Sequence, residues 1–177
     1  MRIPAIVGLV FLASCGSAGL SGQQGEQLVN LQPGGNAALR MAGSDAPHFE
    51  TVKAPVETVF RLLPTILDSL GITVTDLDPS RHFIGNSALK VRRQLGGTIL
   101  SKYIDCGSAQ GFPSAETYDV QLSLRTQLND LPGGQTAIST VVEAVGRPAA
   151  FAGEYVRCSS KGTLEKAVLD AVNARTH

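Results

Sequence analysis

The chain has 177 residues, its 15 Lys and Arg balance its 15 Asp and Glu, and aromatic residues make up 5% with no Trp. A neutral chain lacks the basic excess that neutralises nucleic-acid phosphates, and so few rings offer no stacking platform for bases or sugars. Nucleic acid is therefore set aside as a partner, and with a leader and linker discounted about 130 residues remain, enough for one domain.

The N-terminus opens with a positive residue, Arg2, followed by about ten apolar residues over 3–12, interrupted by Pro4 and Gly8. A span of the bilayer core needs roughly 20 apolar residues, so this run is too short to be one and reads as a secretory signal. It ends in Leu12-Ala13-Ser14-Cys15. A Leu, two small residues and a Cys resemble the lipobox of bacterial lipoproteins. The resemblance implies a signal peptide over 1–14 and a diacylglyceryl group on the sulfur of Cys15. Each buried acyl methylene contributes about 0.8 kcal/mol, so several chains hold such a protein on a membrane durably. By the same resemblance, Gly16 in place of Asp favours the outer membrane, with the domain facing the periplasm.

Residues 15–46 are rich in Gly, Ser, Gln, Asn and Ala, include Gly34-Gly35 and show no apolar period. They read as a lipidated flexible tether with a root-mean-square reach of about 30 Å. A single α+β domain is expected over 47–177.

Residues 48–53 alternate as a first strand. Ala54-Pro55 then opens a helix, with Pro in the first turn where its missing N–H costs nothing. Val56, Val59, Phe60, Leu63, Leu67 and Leu70 form one apolar stripe that keeps phase across Pro64. This predicts one helix with a kink near Leu63, stopped by Gly71. A second strand is expected over 72–77 and a turn at Asp78-Pro79-Ser80. A long third strand follows over 81–94, softly broken at Gly85, and a hairpin tip at Gly96-Gly97 leads to a fourth over 98–105. Residues 116–127 alternate most clearly, with Tyr118, Val120, Leu122 and Leu124 on one face. Residues 136–145 pair back on them. An amphipathic helix over 160–174 presents Leu164, Ala167, Val168, Ala171 and Val172, with Ser159 or Ser160 as its cap.

The order β-α-β-β-β-β-β-α gives the fold class α+β, a mostly antiparallel sheet of about six strands with two packed helices on its apolar face. In element order alone it resembles the helix-grip arrangement of BamC-type outer-membrane assembly lipoproteins.

With Cys15 taken by lipid, Cys106 and Cys158 would meet an oxidising compartment and are expected to form a disulfide. Buried free thiols are the alternative. There is no C-x-x-C, and the histidines are His48, His82 and His177, so no metal site is expected.

Three clusters are candidates for function. A tight hairpin at Gly96-Gly97 pairs Arg93 with Leu100 and sets Arg93 and Lys102 diagonally on an apolar face. There they could grip the acidic head of an amphipathic ligand, or hold their stems against the sheet margin and their heads in water. Lys90 and Arg92 lie on the opposite face, either as solvated charges or as a headgroup patch. Phe112 and Phe151, in loops joined by the cysteine pair, form a partner patch if exposed, or plug the ends of the core if not. Catalysis has little to rest on. A thiol at Cys106 with Asp105 and His82 as orienter and base is conceivable, and Asp76 with Asp78 could be a carboxylate pair. None of G-x-S-x-G, H-E-x-x-H, a P-loop or G-x-G-x-x-G occurs, so no catalytic residue and no cofactor is expected. The sequence leads to a non-catalytic, lipid-anchored envelope protein that acts as an interaction or scaffolding module. The alternative is a small carrier of a lipid or other amphipathic ligand.

Overall fold

The computed structural model describes residues 48–150 and 152–176, all within one compact unit, Gly43–His177. The signal segment, Cys15, the tether and Phe151 lie outside the described residues.

Among the described residues eleven strands and two α-helices follow in order: β1 (Glu50–Val52), α1 (Val56–Ser69), β2 (Asp76–Asp78), β3 (Phe83–Arg92), β4 (Gln94–Leu95), β5 (Thr98–Ile99), β6 (Ile104–Asp105), β7 (Ser108–Ala109), β8 (Phe112–Pro113), β9 (Tyr118–Leu131), β10 (Gln135–Pro148), β11 (Val156–Ser160) and α2 (Thr163–Thr176). The fold is α+β, and every strand pairing is antiparallel. The main sheet runs β5-β4-β3-β9-β10-β11-β6, with β2 added to β3 and β1 to β10. Strands β1 and β11 share the edge of β10 that β9 leaves free, one at each end of it.

The long hairpin β9–β10 is the centre of the sheet and obeys the expected alternation. Val120, Leu122, Leu124, Thr126 and Leu128 face inward from β9, opposite Ile138, Val142 and Ala144 of β10. Both helices lie on this face. Helix α1 buries Val56, Val59, Leu63, Ile66 and Leu67, and α2 buries Leu164, Val168 and Val172. These side chains form one cluster with the sheet. Burying each such side chain fully stabilises the fold by about 1.5–3 kcal/mol.

A single helix passes through Pro64, which stands on its exposed side while the buried stripe continues on both sides of it. Pro55 is the residue just before the helix rather than in its first turn, with extended backbone (φ −61°, ψ 145°). At the other end Gly71 adopts φ +79°. Its N–H donates to the Asp68 carbonyl at 2.9 Å and that of Ile72 to the Leu67 carbonyl at 2.9 Å, the paired closure that a glycine after a helix permits.

Four expectations are revised. The strand expected over 72–77 is reduced to β2, since the Thr73 carbonyl takes its hydrogen from the side chain of buried Asn86, at 2.7 Å, instead of from a strand's backbone. No break occurs at Gly85. The irregularity falls between Asn86 and Leu89, where one extra residue in β3 switches its inward parity from Ile84 and Asn86 to Leu89 and Val91. The strand expected over 98–105 divides into β5, a tight helical turn at Leu100–Lys102, and β6, which pairs with β11 instead. Finally, neither Ser159 nor Ser160 stands at the start of α2, since both belong to β11. The Ser160 hydroxyl still accepts from Gly162 N–H at 3.1 Å and donates to Glu165 at 2.6 Å.

Candidate functional site

The residues singled out from sequence fall in different places. Cys106 and Cys158 form a disulfide closing a separation of 52 residues, and both are buried. It ties β11 to the segment just after β6. The bond occupies the Cys106 sulfur, so no thiolate is available there as a nucleophile.

Arg93 and Lys102 do not share a strand-pair face. Arg93 takes φ +64° as the chain doubles back between β3 and β4, and Lys102 sits in the helical turn after β5. The Arg93 carbonyl does accept from Leu100 N–H at 2.8 Å, as the hairpin register requires. Beyond that point the ladder ends, and both cations are exposed. Phe112 stands at the edge of a two-stranded hairpin, β7–β8, with 70% of its surface exposed. Its expected companion, Phe151, is not among the described residues.

Asp76 and Asp78 both belong to β2, but Asp78 serves its own turn. Its carboxylate accepts from Ser80 Oγ at 2.6 Å, from Arg81 Nε at 2.6 Å and from Arg81 N–H at 3.2 Å. The Ser80 hydrogen bond, then that of Arg81, lowers its pKa from 3.8 to about 2. Among the described residues no cluster of His, Cys, Asp and Glu has the geometry to hold a metal.

The arrangement best suited to binding lies on the outer face of the sheet, turned away from the helices. Alternation sends Lys90 and Arg92 of β3 outward, and register then decides their neighbours. Arg92 pairs with Asp119 of β9, which pairs with Arg147 of β10. In the next row Lys90 pairs with Gln121, Gln121 with Val145, and Val145 with Arg157 of β11. An open depression of about 310 Å³ lies over these rows, lined by Lys90, Arg92, Asp119, Gln121, Arg147 and Tyr155, with Val91 and Val120 also contributing.

Three cations therefore line the depression together with one carboxylate. Arg92 Nε is 3.6 Å from Asp119 Oδ1, an ion pair longer than a hydrogen bond. The guanidinium of Arg147 stacks over the ring of Tyr155, 5.1 Å from its centroid. The next acid along the sheet, Glu143, is engaged by Arg125 at 2.6 Å. The depression carries a local excess of two positive charges on a chain that is neutral overall.

Of these residues, Lys90 and Arg92 were legible as an outward-facing pair. Arg147, Tyr155 and Arg157 were hidden in a stretch that looked like a loop because of Pro148, Gly153 and nearby Ala residues. The alternation of Tyr155 and Arg157 with Val156 and Cys158 was the signal that a strand follows.

The chain matches no protein-family model, and no curated protein matches it.

Proposed function

We propose that this chain is a non-catalytic, lipid-anchored protein of the cell envelope that works as an interaction module at the periplasmic face of the outer membrane. The observation that carries the interaction reading is the filled space between sheet and helices. Leu63, Ile66, Leu67, Leu122, Leu124, Leu164, Val168 and Val172 all lie there with no exposed surface. A carrier of an amphipathic ligand needs an apolar hollow at that place. Binding is therefore assigned to the surface, where the outer-face depression and the exposed Phe112 hairpin are the candidate contacts.

Two features support the compartment. The Leu12-Ala13-Ser14-Cys15 motif resembles a lipobox. The Cys106–Cys158 disulfide is the bond that an oxidising envelope favours and a reducing cytosol does not. No helix among the described residues is long and apolar enough to cross a membrane, so attachment through acyl chains on Cys15 is the anchoring chemistry proposed. The resemblance of the sequence-derived element order to BamC-type helix-grip domains is offered as an analogy for scaffolding within the envelope.

Labelled palmitate supplied to cells making the chain should appear on it and vanish in Cys15→Ser. Recovery of unlabelled chain in the cytosolic fraction would overturn both anchor and compartment. For the interaction itself, crosslinked partners recovered from envelope extracts should decline when Phe112→Ser or Arg92→Gln/Arg147→Gln is introduced. Unchanged recovery from both folded variants would overturn the assignment to these surfaces.

A further inference from the structure

We propose that the outer-face depression is a phosphate-binding site, in which Lys90, Arg92 and Arg147 grip a phosphate monoester or diester. The proposal rests on the reading of this face as the working surface.

Three features of the geometry favour a multivalent tetrahedral anion. The cations approach from two sides of β9: Lys90 and Arg92 stand on β3, and Arg147 stands on β10. Neighbouring strands are about 4.8 Å apart and alternate residues of one strand about 6.8 Å apart, so long side chains from these positions can meet above Asp119. A planar carboxylate is satisfied by one guanidinium fork, whereas a phosphate presents oxygens in several directions and suits donors arriving from both sides.

The donors are also free to act. Arg147 meets Tyr155 through a cation–π contact, 5.1 Å to the ring centroid, and among the described residues it has no ion-pair partner. Arg92 makes only the 3.6 Å ion pair with Asp119, which steers the fork without using up its hydrogen bonds. Among the described residues Lys90 has no ion-pair partner at all. Gln121 adds an amide beside it.

Charge points the same way. Like charges gathered in one depression repel one another, and a phosphate removes that repulsion by supplying up to two negative charges against the local excess of two positive ones. Asp119 remains as the single opposing carboxylate. It limits how many anions the site accepts and holds Arg92 in place.

The phosphate could belong to a soluble compound or to a lipid headgroup, and two binding measurements on one protein distinguish them. The full chain carrying Cys15→Ser, which removes acyl anchoring, is titrated with inorganic phosphate by calorimetry at low salt. It is also sedimented with phosphatidylcholine vesicles, with and without phosphatidic acid. Binding in at least one measurement is expected, weakened about tenfold or more by Arg92→Gln/Arg147→Gln and less by Lys90→Gln. Arg93→Gln/Lys102→Gln removes the same charge elsewhere and should leave binding unchanged. A response to inorganic phosphate alone assigns a soluble ligand, and a response to phosphatidic acid vesicles alone assigns a headgroup. Silence in both measurements, or equal loss in the two double variants, would overturn the proposal. If envelope partners still depend on Arg92 and Arg147 while phosphate gives no response, the phosphate assignment falls and the interaction reading stands.

Discussion

Asp78 shows how one side chain sets a turn. Its carboxylate is fully engaged by Ser80 and Arg81, and its pKa is lowered to about 2. A lowered carboxylate pKa favours the folded state above the ordinary value of 3.8, and that contribution is lost as pH falls through about 2. In an NMR titration of the side-chain carbonyl carbon, Asp78 should titrate near the low value, and Ser80→Ala should move it back up. Asn86 is the other decisive residue at this scale. It is buried in the inward row of β3, donates to the Thr73 carbonyl and accepts from Ala88 N–H at 2.9 Å. Replacing it with Ala leaves both backbone groups without their partner, and denaturant unfolding should show a loss of about 1–3 kcal/mol. A single Asn between apolar neighbours gave no sign of this role in the sequence, because its partners are set by how the chain folds back.

The end of α1 meets the β4–β5 hairpin, and the contact depends on two glycines. A Cβ at Gly71 would lie 2.6 Å from Gly96 N, and one at Gly96 would lie 2.5 Å from the Leu70 carbonyl oxygen. Both are backbone atoms that cannot move aside. Gly97 has a similar φ of +79° but open space around its would-be Cβ. Gly97→Ala should therefore cost only the left-handed penalty of about 1–2 kcal/mol, and Gly71→Ala distinctly more, as read from the two urea midpoints. The hairpin tip itself was legible, since two adjacent glycines suit a turn that demands positive φ twice. The fate of the strand after it was not. Thr98, Leu100, Lys102 and Ile104 alternate well enough for β structure, yet Leu100, Tyr103 and Ile104 are the residues buried. That spacing of three and four needs a helical turn, and only the core decides that Tyr103 must join it.

Taken whole, the domain is a sheet whose long central hairpin is local, while β1, β3 and β6 pair with strands distant in sequence. Strand β6 is held by two residue pairs with β11, and the disulfide lies immediately beyond them. Closing a loop of 52 residues stabilises the fold by about 4 kcal/mol on chain-entropy grounds. The double change Cys106→Ser/Cys158→Ser should lower the unfolding free energy by that order. Hydrogen exchange should quicken first in 104–105 and 159–160, the residues through which β6 and β11 pair.

Sequence by itself determined the faces. Alternation in β9 and β10 and the stripes of α1 and α2 state which side chains go inward, and that suffices for an α+β class with helices on one side of an antiparallel sheet. Tertiary structure alone decided the neighbours. Alternation carries no information about which strand lies beside which. Pairing of β3 with β9, and of β11 with β10 and β6, follows from how the whole core closes. Arg92, Asp119, Arg147 and Tyr155 come from three separate stretches of chain and meet only because those registers are set. For the same reason Arg93 and Lys102, nine positions apart and apparently joined by one hairpin, are separated once Leu100 turns into the core.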